Sequence, residues 1–512
     1  MMPEAIPSPS QPDAQVSPRD WISSLQRLVQ VLFAIFLVLS LATHSGHWRV
    51  GPFTWLPVLR LPALIPALVL RTVDQTPMSI GVLTLVPVLL ALCWPALRLL
   101  ELRYPERRRR WQWGWLHITG PLSGLTLLGM ASLVLSELIG PNLAGATGGG
   151  GLPLRNTAFQ LLSLGVVWFV YLFIVNERPK LTWPLALVVV IQGGVGVAQF
   201  VFQHDLGLPA LGELALDPEV RGVSVLMTEE GQRWLRAYGL TGHPNLLAAL
   251  LTVLLLLLLL DLPKQQGVRR ALLVGVCVVG VLGLLATVSR AAWLAFGVGL
   301  VVWALGIRLN ASALGPTVSS HPSRPVARRA AWVLVPIAAG AAFVVFYGRQ
   351  LATRFFDLNT AVEARSLLER LRDVRIAGTL ILDHPWTGVG LGNYLPSARL
   401  IDRSARVVHN VPLLVTAEMG VLGGLLWLWL GLAPIVAAVR GLISGRRELV
   451  SQVAPWMALL TIGLFHGLPW INTGWRTAIL LALLMGAWSR AVQSSDPESG
   501  NEMASVTAPP EV

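Results

Sequence analysis

The stretch from Leu246 to Leu260 reads LLAALLTVLLLLLLL and has no polar face. A helix that is apolar all round is stable only inside a large core or within a bilayer. Similar apolar runs, most close to 20 residues long, recur along the chain with short basic segments between them. Only 13% of residues are charged, against about 25% in soluble domains. Together these features predict an all-α, polytopic membrane protein. The net charge of +12 comes almost wholly from arginine, Lys180 and Lys264 being the only lysines. Because the arginines gather at span ends and in one loop, the partner they suit is phospholipid or diphosphate, not nucleic acid.

The spacing predicts about twelve membrane helices, near 25–43, 80–100, 115–138, 155–175, 181–203, 239–260, 271–288, 291–307, 331–347, 411–435, 453–468 and 475–490. Residues 1–24 and 491–512 read as polar, disordered tails. Between them lie an N-terminal scaffold (25–235), a central region (236–435) and C-terminal helices (436–490). The segment 52–70 carries Pro52, Pro57, Pro62 and Pro66. Proline at that density breaks the helical ladder, which predicts an interfacial or re-entrant piece. Five short basic loops fall on one side if there are twelve spans, which makes that side and both termini cytoplasmic. The Gly-rich loop 140–154, the loop 204–238 and the long loop 348–410 are then outside. The last carries nine arginines, from Arg349 to Arg406. Within it, Leu367, Leu368, Leu371 and Val374 recur at helical spacing and predict an amphipathic helix at the membrane interface.

Four features point to chemistry. Arg236 precedes the 239–260 span, and Arg290 lies in a turn between two spans. Arg370 stands with Arg372 and Arg375, and His409-Asn410 opens an apolar helix that has Gly420 eleven residues on. Arginine grips a diphosphate through paired, charge-assisted hydrogen bonds and stays protonated. Histidine is the side chain most readily poised near pH 7 to take a proton. Each has a plainer reading. Arg236 can snorkel at a helix end, Arg372 and Arg375 can form a solvated face, and His409 can belong to a helix cap. His243-Pro244 reads as a helix entry. Glu418, inside an apolar helix, is a functional candidate or one half of a salt bridge. Gly420 reads as the seat of a closely packed neighbouring helix, and GVGLGN at 388–393 as a flexible turn. The histidines and acids show no metal-ligand spacing. Cys93 and Cys277 lie within apolar spans and read as small hydrophobes. No phosphate loop, dinucleotide fingerprint or nucleophile elbow occurs, so no soluble cofactor is expected.

Four pieces, RAYGLTGHPNLLAALL, TVSRAAWLAF, RLRDVRIAGTLILDHPWTGVGLGNY and HNVPLLVTAEMGVLGGLLWLW, resemble the O-antigen ligase and polymerase superfamily of bacterial membrane glycosyltransferases, in family order over about residues 236–432. The resemblance implies a GT-C-like membrane fold and a metal-independent, inverting transfer. The donor it implies is a glycan on undecaprenyl diphosphate. The acceptor is a lipid, a glycan or a protein, and the reaction takes place at the outer face of the cytoplasmic membrane. Carried over, Arg236, Arg290 and Arg370 match the family arginines that hold the diphosphate, and His409 matches the proposed base. Arg372, Arg375 and Asn410 are added as substrate-binding candidates. Val374 departs from the tryptophan of many members, and the loop 308–330 is long. The competing reading is a transporter or flippase for a lipid-linked or other anion. It would favour polar residues deep in several spans, whereas here they gather at one face.

Overall fold

The computed structural model describes residues 18–43, 82–104, 109–147, 152–227, 230–313, 331–356, 361–467, 470 and 475–494. Segment 52–70, most of both tails and much of the loop 308–330 lie outside these. The described chain is helical apart from one short hairpin. It divides into two compact units, one holding Pro18–Phe36 and Val82–Trp111, the other Leu37–Thr43 and everything from Gln112 onward.

The first unit comprises most of α1 (Pro18–Ala42) and all of α2 (Val82–Arg103). The first helix begins at Pro18, inside the stretch expected to be a disordered tail. At the end of α2, Glu101 takes hydrogen bonds from Arg98 at 2.8 Å and Arg109 at 2.5 Å. The Arg98 guanidinium also lies 5.5 Å from the Trp111 ring centre.

The second unit holds α3 (Leu116–Thr147), α4 (Leu152–Glu177) and α5 (Thr182–Phe202), then a hairpin of β1 (Val225–Met227) and β2 (Arg233–Leu235). Next come α6 (Pro244–Asp261), α7 (Gly267–Ala286), α8 (Arg290–Ala313) and α9 (Leu334–Phe346). The loop beyond contains α10 (Gly348–Phe356), α11 (Ala361–Asp383) and α12 (Tyr394–Ile401). The last elements are α13 (Val411–Ile443), α14 (Glu448–Gln452), α15 (Ala454–Phe465) and α16 (Trp475–Ser494).

Each of the twelve expected spans falls on a helix. Nine helices among the described residues are long and apolar enough to cross a membrane. The chain is therefore an all-α, polytopic membrane protein. Of the other three, α2 and α16 run 22 and 20 residues, and α9 has only 13.

The all-apolar stretch 246–260 has a structural reason. Helix α6 is central to its unit, packed by α5, α7, α8 and α15 and buried along almost its whole length. It meets protein on all sides, so every face is apolar. Beside it, α5 and α7 pack closely at Gly193 and Gly283. A β-carbon on Gly283 would lie 2.7 Å from the Gly193 α-carbon. Small residues allow backbones to approach in this way.

Helix α11 forms where an amphipathic helix was expected, but it has two faces. Asp373, Ile376, Ala377 and Leu380 turn inward and are buried. Leu368 and Leu371, from the predicted apolar stripe, are 66% and 58% exposed.

Candidate active site

The site begins on the loop Arg236–His243, which joins β2 to α6. Two buried glutamines of α5 hold it. The Gln199 side-chain oxygen accepts from the Tyr238 N–H at 3.0 Å, and its amide donates to the Gly239 carbonyl at 3.0 Å. The Gln192 oxygen accepts from the Leu240 N–H at 2.9 Å. With the loop fixed, Arg236 is drawn inward and is only 4% exposed. Its guanidinium donates to the Thr287 carbonyl, Ser224 Oγ and Asn245 Oδ1, each at 2.8 Å. All three of these acceptors are neutral.

Thr287 and Val288 form the turn between α7 and α8. Val288 has φ +48°, a left-handed conformation uncommon for a β-branched residue and often found at functional sites. The turn delivers Arg290 to the first residue of α8. A helix start carries partial positive charge, so backbone and guanidinium there both favour an anion. Arg370 arrives from α11. Arg236, Arg290 and Arg370 line one cavity of about 260 Å³ together with Asn245, Ser289 and His466.

His409 lies at the edge of this group. Its ring centre is 5.5 Å from that of His466, and its Nδ1 is 3.9 Å from Oδ2 of the buried Asp373. Burial, then the charges of Arg370 and Arg406, hold the His409 imidazole below its ordinary pKa, while Glu369 opposes them. Burial pushes His466 down to about 3, with help from His409, Arg370, His243 and Arg236. Burial, then Arg236 and His409, push His243 down to about 4. His466 shares Arg370 with His409 and Arg236 with His243, so the three histidines form one electrostatically linked group.

The remaining candidates stand apart from the cavity. Arg372 donates to Ser404 Oγ at 2.8 Å and lies 3.5 Å from Asp402, which ties α11 to the loop after α12. Arg375 is exposed and does not line the cavity. Asn410 caps α13. Its side-chain oxygen accepts from the Leu413 N–H at 3.0 Å, and its amide donates to the Leu464 carbonyl at 3.2 Å. The cap therefore joins the start of α13 to the end of α15 and fixes His409 beside His466. His243 is the N-cap of α6, as its sequence position suggested. Glu418 is buried and accepts from the Trp470 indole at 3.3 Å, where a salt bridge was one expectation.

Two readings of the sequence are corrected. Gly420 does not receive a neighbouring helix, because α13 itself breaks there, with φ 71° and ψ −178°. Nor is the glycine-rich turn loose. Pro385 to Gly390 dock into the break, with Val389 N–H donating to the Ala417 carbonyl at 2.9 Å and Gly390 N–H to the Glu418 carbonyl at 2.9 Å. Val421 N–H donates to the Pro385 carbonyl at 2.8 Å. The inserted turn satisfies backbone groups that the break releases.

His466 and Asp373 were not legible as site residues. His466 read as the tail of a membrane span, but α15 ends at Phe465 and His466 opens the following loop. Asp373 did carry a signal. It shares helical spacing with Ile376, Ala377 and Leu380, which places a carboxylate on a buried face. Among the described residues, no group of three or more His, Cys, Asp or Glu could hold a metal ion.

Apolar helices around a cavity lined by three arginines and a histidine define a multi-pass membrane protein with a cationic site. Residues 275–428 match the family model for O-antigen ligase, which bears out the resemblance to the O-antigen ligase and polymerase superfamily. The match supports, in general terms, glycan transfer of the ligase or polymerase type. Arg290, Arg370 and His409 fall inside the matched stretch, and Arg236 and His466 outside it. No curated protein matches the chain.

Proposed function

We propose that the protein transfers a glycan from an undecaprenyl-diphosphate donor to an acceptor hydroxyl at the outer face of the cytoplasmic membrane. The observation that carries this reading is the meeting of Arg236, Arg290 and Arg370, distant in sequence, at one cavity. A diphosphate needs several fixed cations, and a cavity at a helix start adds favourable backbone dipoles. His409 takes the proton of the acceptor hydroxyl. The oxygen attacks the anomeric carbon, the bond from that carbon to the phosphate oxygen breaks with its electron pair, and configuration inverts. Charge then develops on the leaving diphosphate. Preorganised donors at such a position contribute about 3–4 kcal/mol each.

The reading is tested by reconstituting the purified protein in vesicles with a defined undecaprenyl-diphosphate-linked oligosaccharide and candidate acceptors. Transfer with release of undecaprenyl diphosphate, undiminished by excess chelator, is the expected result. Passage of the intact donor across the bilayer without bond formation would establish a flippase. Activity lost in EDTA and restored by one divalent ion would remove the arginine-only account.

A further inference from the structure

We infer that Asp373 is a positioning residue that orients His409 and sets which of its nitrogens is basic. The inference rests on reading His409 as the general base. Asp373 lies on the inward face of α11 and is 1% exposed. Its Oδ2 is 3.9 Å from His409 Nδ1. Neither carboxylate oxygen has a hydrogen-bond partner, and neither has the buried His409 Nδ1. The Arg406 backbone N–H influences the carboxylate without reaching hydrogen-bond geometry. A buried acceptor and a buried ring nitrogen, facing each other and both unsatisfied, each carry a desolvation cost that one hydrogen bond would remove. A small rotation of the imidazole closes the gap, and catalytic hydrogen bonds are often long before substrate binds.

The surrounding charges favour this pairing over others. Glu369, one turn back on α11, is 3.4 Å from Arg406. Arg372 is drawn away to Ser404 and Asp402, with only its Nη2 approaching Asp373 Oδ1, at 3.9 Å. The Tyr394 hydroxyl donates to the Asp373 carbonyl at 3.3 Å, which fixes this turn of α11 against α12. Among the described residues, the other titratable or charged groups around His409 are cationic or neutral: Arg370, Arg406, His466 and His243. Among the described residues, Asp373 is therefore the carboxylate that comes within 3.9 Å of an imidazole nitrogen.

A carboxylate accepting from Nδ1–H selects the tautomer that leaves Nε2 unprotonated. Nε2 then takes the proton of the acceptor hydroxyl, and Asp373 stays ionised and stabilises the imidazolium against the nearby arginines. The proton ends on Nε2 and no second transfer to Asp373 is needed.

The test uses the full-length protein in detergent or nanodiscs, with histidine labelled by ¹⁵N. The His409 signal is assigned by its loss in His409→Ala. In the wild type, neutral His409 should be a single Nδ1–H tautomer. Asp373→Asn should mix the tautomers, lower kcat by about 10²-fold or more, leave donor KM within about twofold, and move the acid limb of the pH profile to lower pH. Asp373→Glu should recover part of the rate. A wild-type Nε2–H tautomer overturns the inference even if every variant fails to fold. So does an Asp373→Asn enzyme with wild-type kcat and pH profile, or one that loses donor binding while the tautomer is unchanged. Near wild-type transfer by His409→Ala would instead remove the base on which the inference rests, and that result is read without any change at Asp373.

Discussion

The α-carbon of Gly420 faces the carbonyl oxygen of Trp386 so closely that a β-carbon at Gly420 would overlap it. Here the glycine-rich turn enters α13. The backbone at Gly420, with φ 71° and ψ −178°, lies in a region essentially reserved for glycine. Gly420→Ala should therefore cost about 1–3 kcal/mol in backbone strain alone, with a further loss from expelling the turn. A lower unfolding midpoint in detergent together with lost transfer is expected. An unchanged midpoint would mean that the break is not required.

The arginines of the cavity should differ from those elsewhere. Arg290→Lys keeps the charge but loses the planar fork that binds phosphate through two hydrogen bonds. It should reduce kcat/KM by about 10²-fold or more, in keeping with loss of a preorganised donor. Arg440→Lys, at an exposed position near the end of α13, should be silent. Equal tolerance in steady-state assays of the two variants would make Arg290 an ordinary anchoring residue.

The pH profile should identify His409. Its folded pKa is held below the ordinary 6.5 by burial, Arg370 and Arg406. A base is active when unprotonated, so the rate should be flat near pH 7 and fall as pH drops through a midpoint below 6.5. His466 and His243, pushed down to about 3 and about 4, stay neutral through pH 5. Neither of those two histidines therefore supplies a limb above pH 5. His409→Ala should remove that limb and lower the rate by about 10²–10⁴-fold, while donor binding persists. A limb that survives in His409→Ala would assign the titration elsewhere.

Sidedness is tested by labelling single cysteines in intact cells, in a background without Cys93 and Cys277. Ser404 is exposed, on the loop after α12. A cysteine there should react with an impermeant reagent, and one at Ser323 should be protected. The reverse pattern would invert the proposed orientation and place the cavity on the cytoplasmic side.

The sequence by itself determined the class of fold. Apolar runs long enough to span a bilayer leave the backbone no option but helix, so the positions of the helices were legible from composition and spacing, although only nine among the described residues are long and apolar enough to cross a membrane. His243 was legible as a helix entry because proline at the first helical position is a local rule. The arginines stood out because charge is costly beside apolar spans. Which arginines share a cavity was decided only by tertiary structure. Arg236, Arg290 and Arg370 come from a loop, a helix start and a helix within the long loop 348–410, while Arg372 is drawn to Asp402 and Ser404. No periodicity carries that distinction, because it depends on which helices pack together. Gly420 and the turn at 385–390 show the same limit. Each reads locally as a small residue or a flexible loop, and only their meeting makes one a helix break and the other its plug. Asp373 lies between the two cases. Its buried face follows from helical spacing, but its 3.9 Å approach to His409, 36 residues away, follows only from the fold.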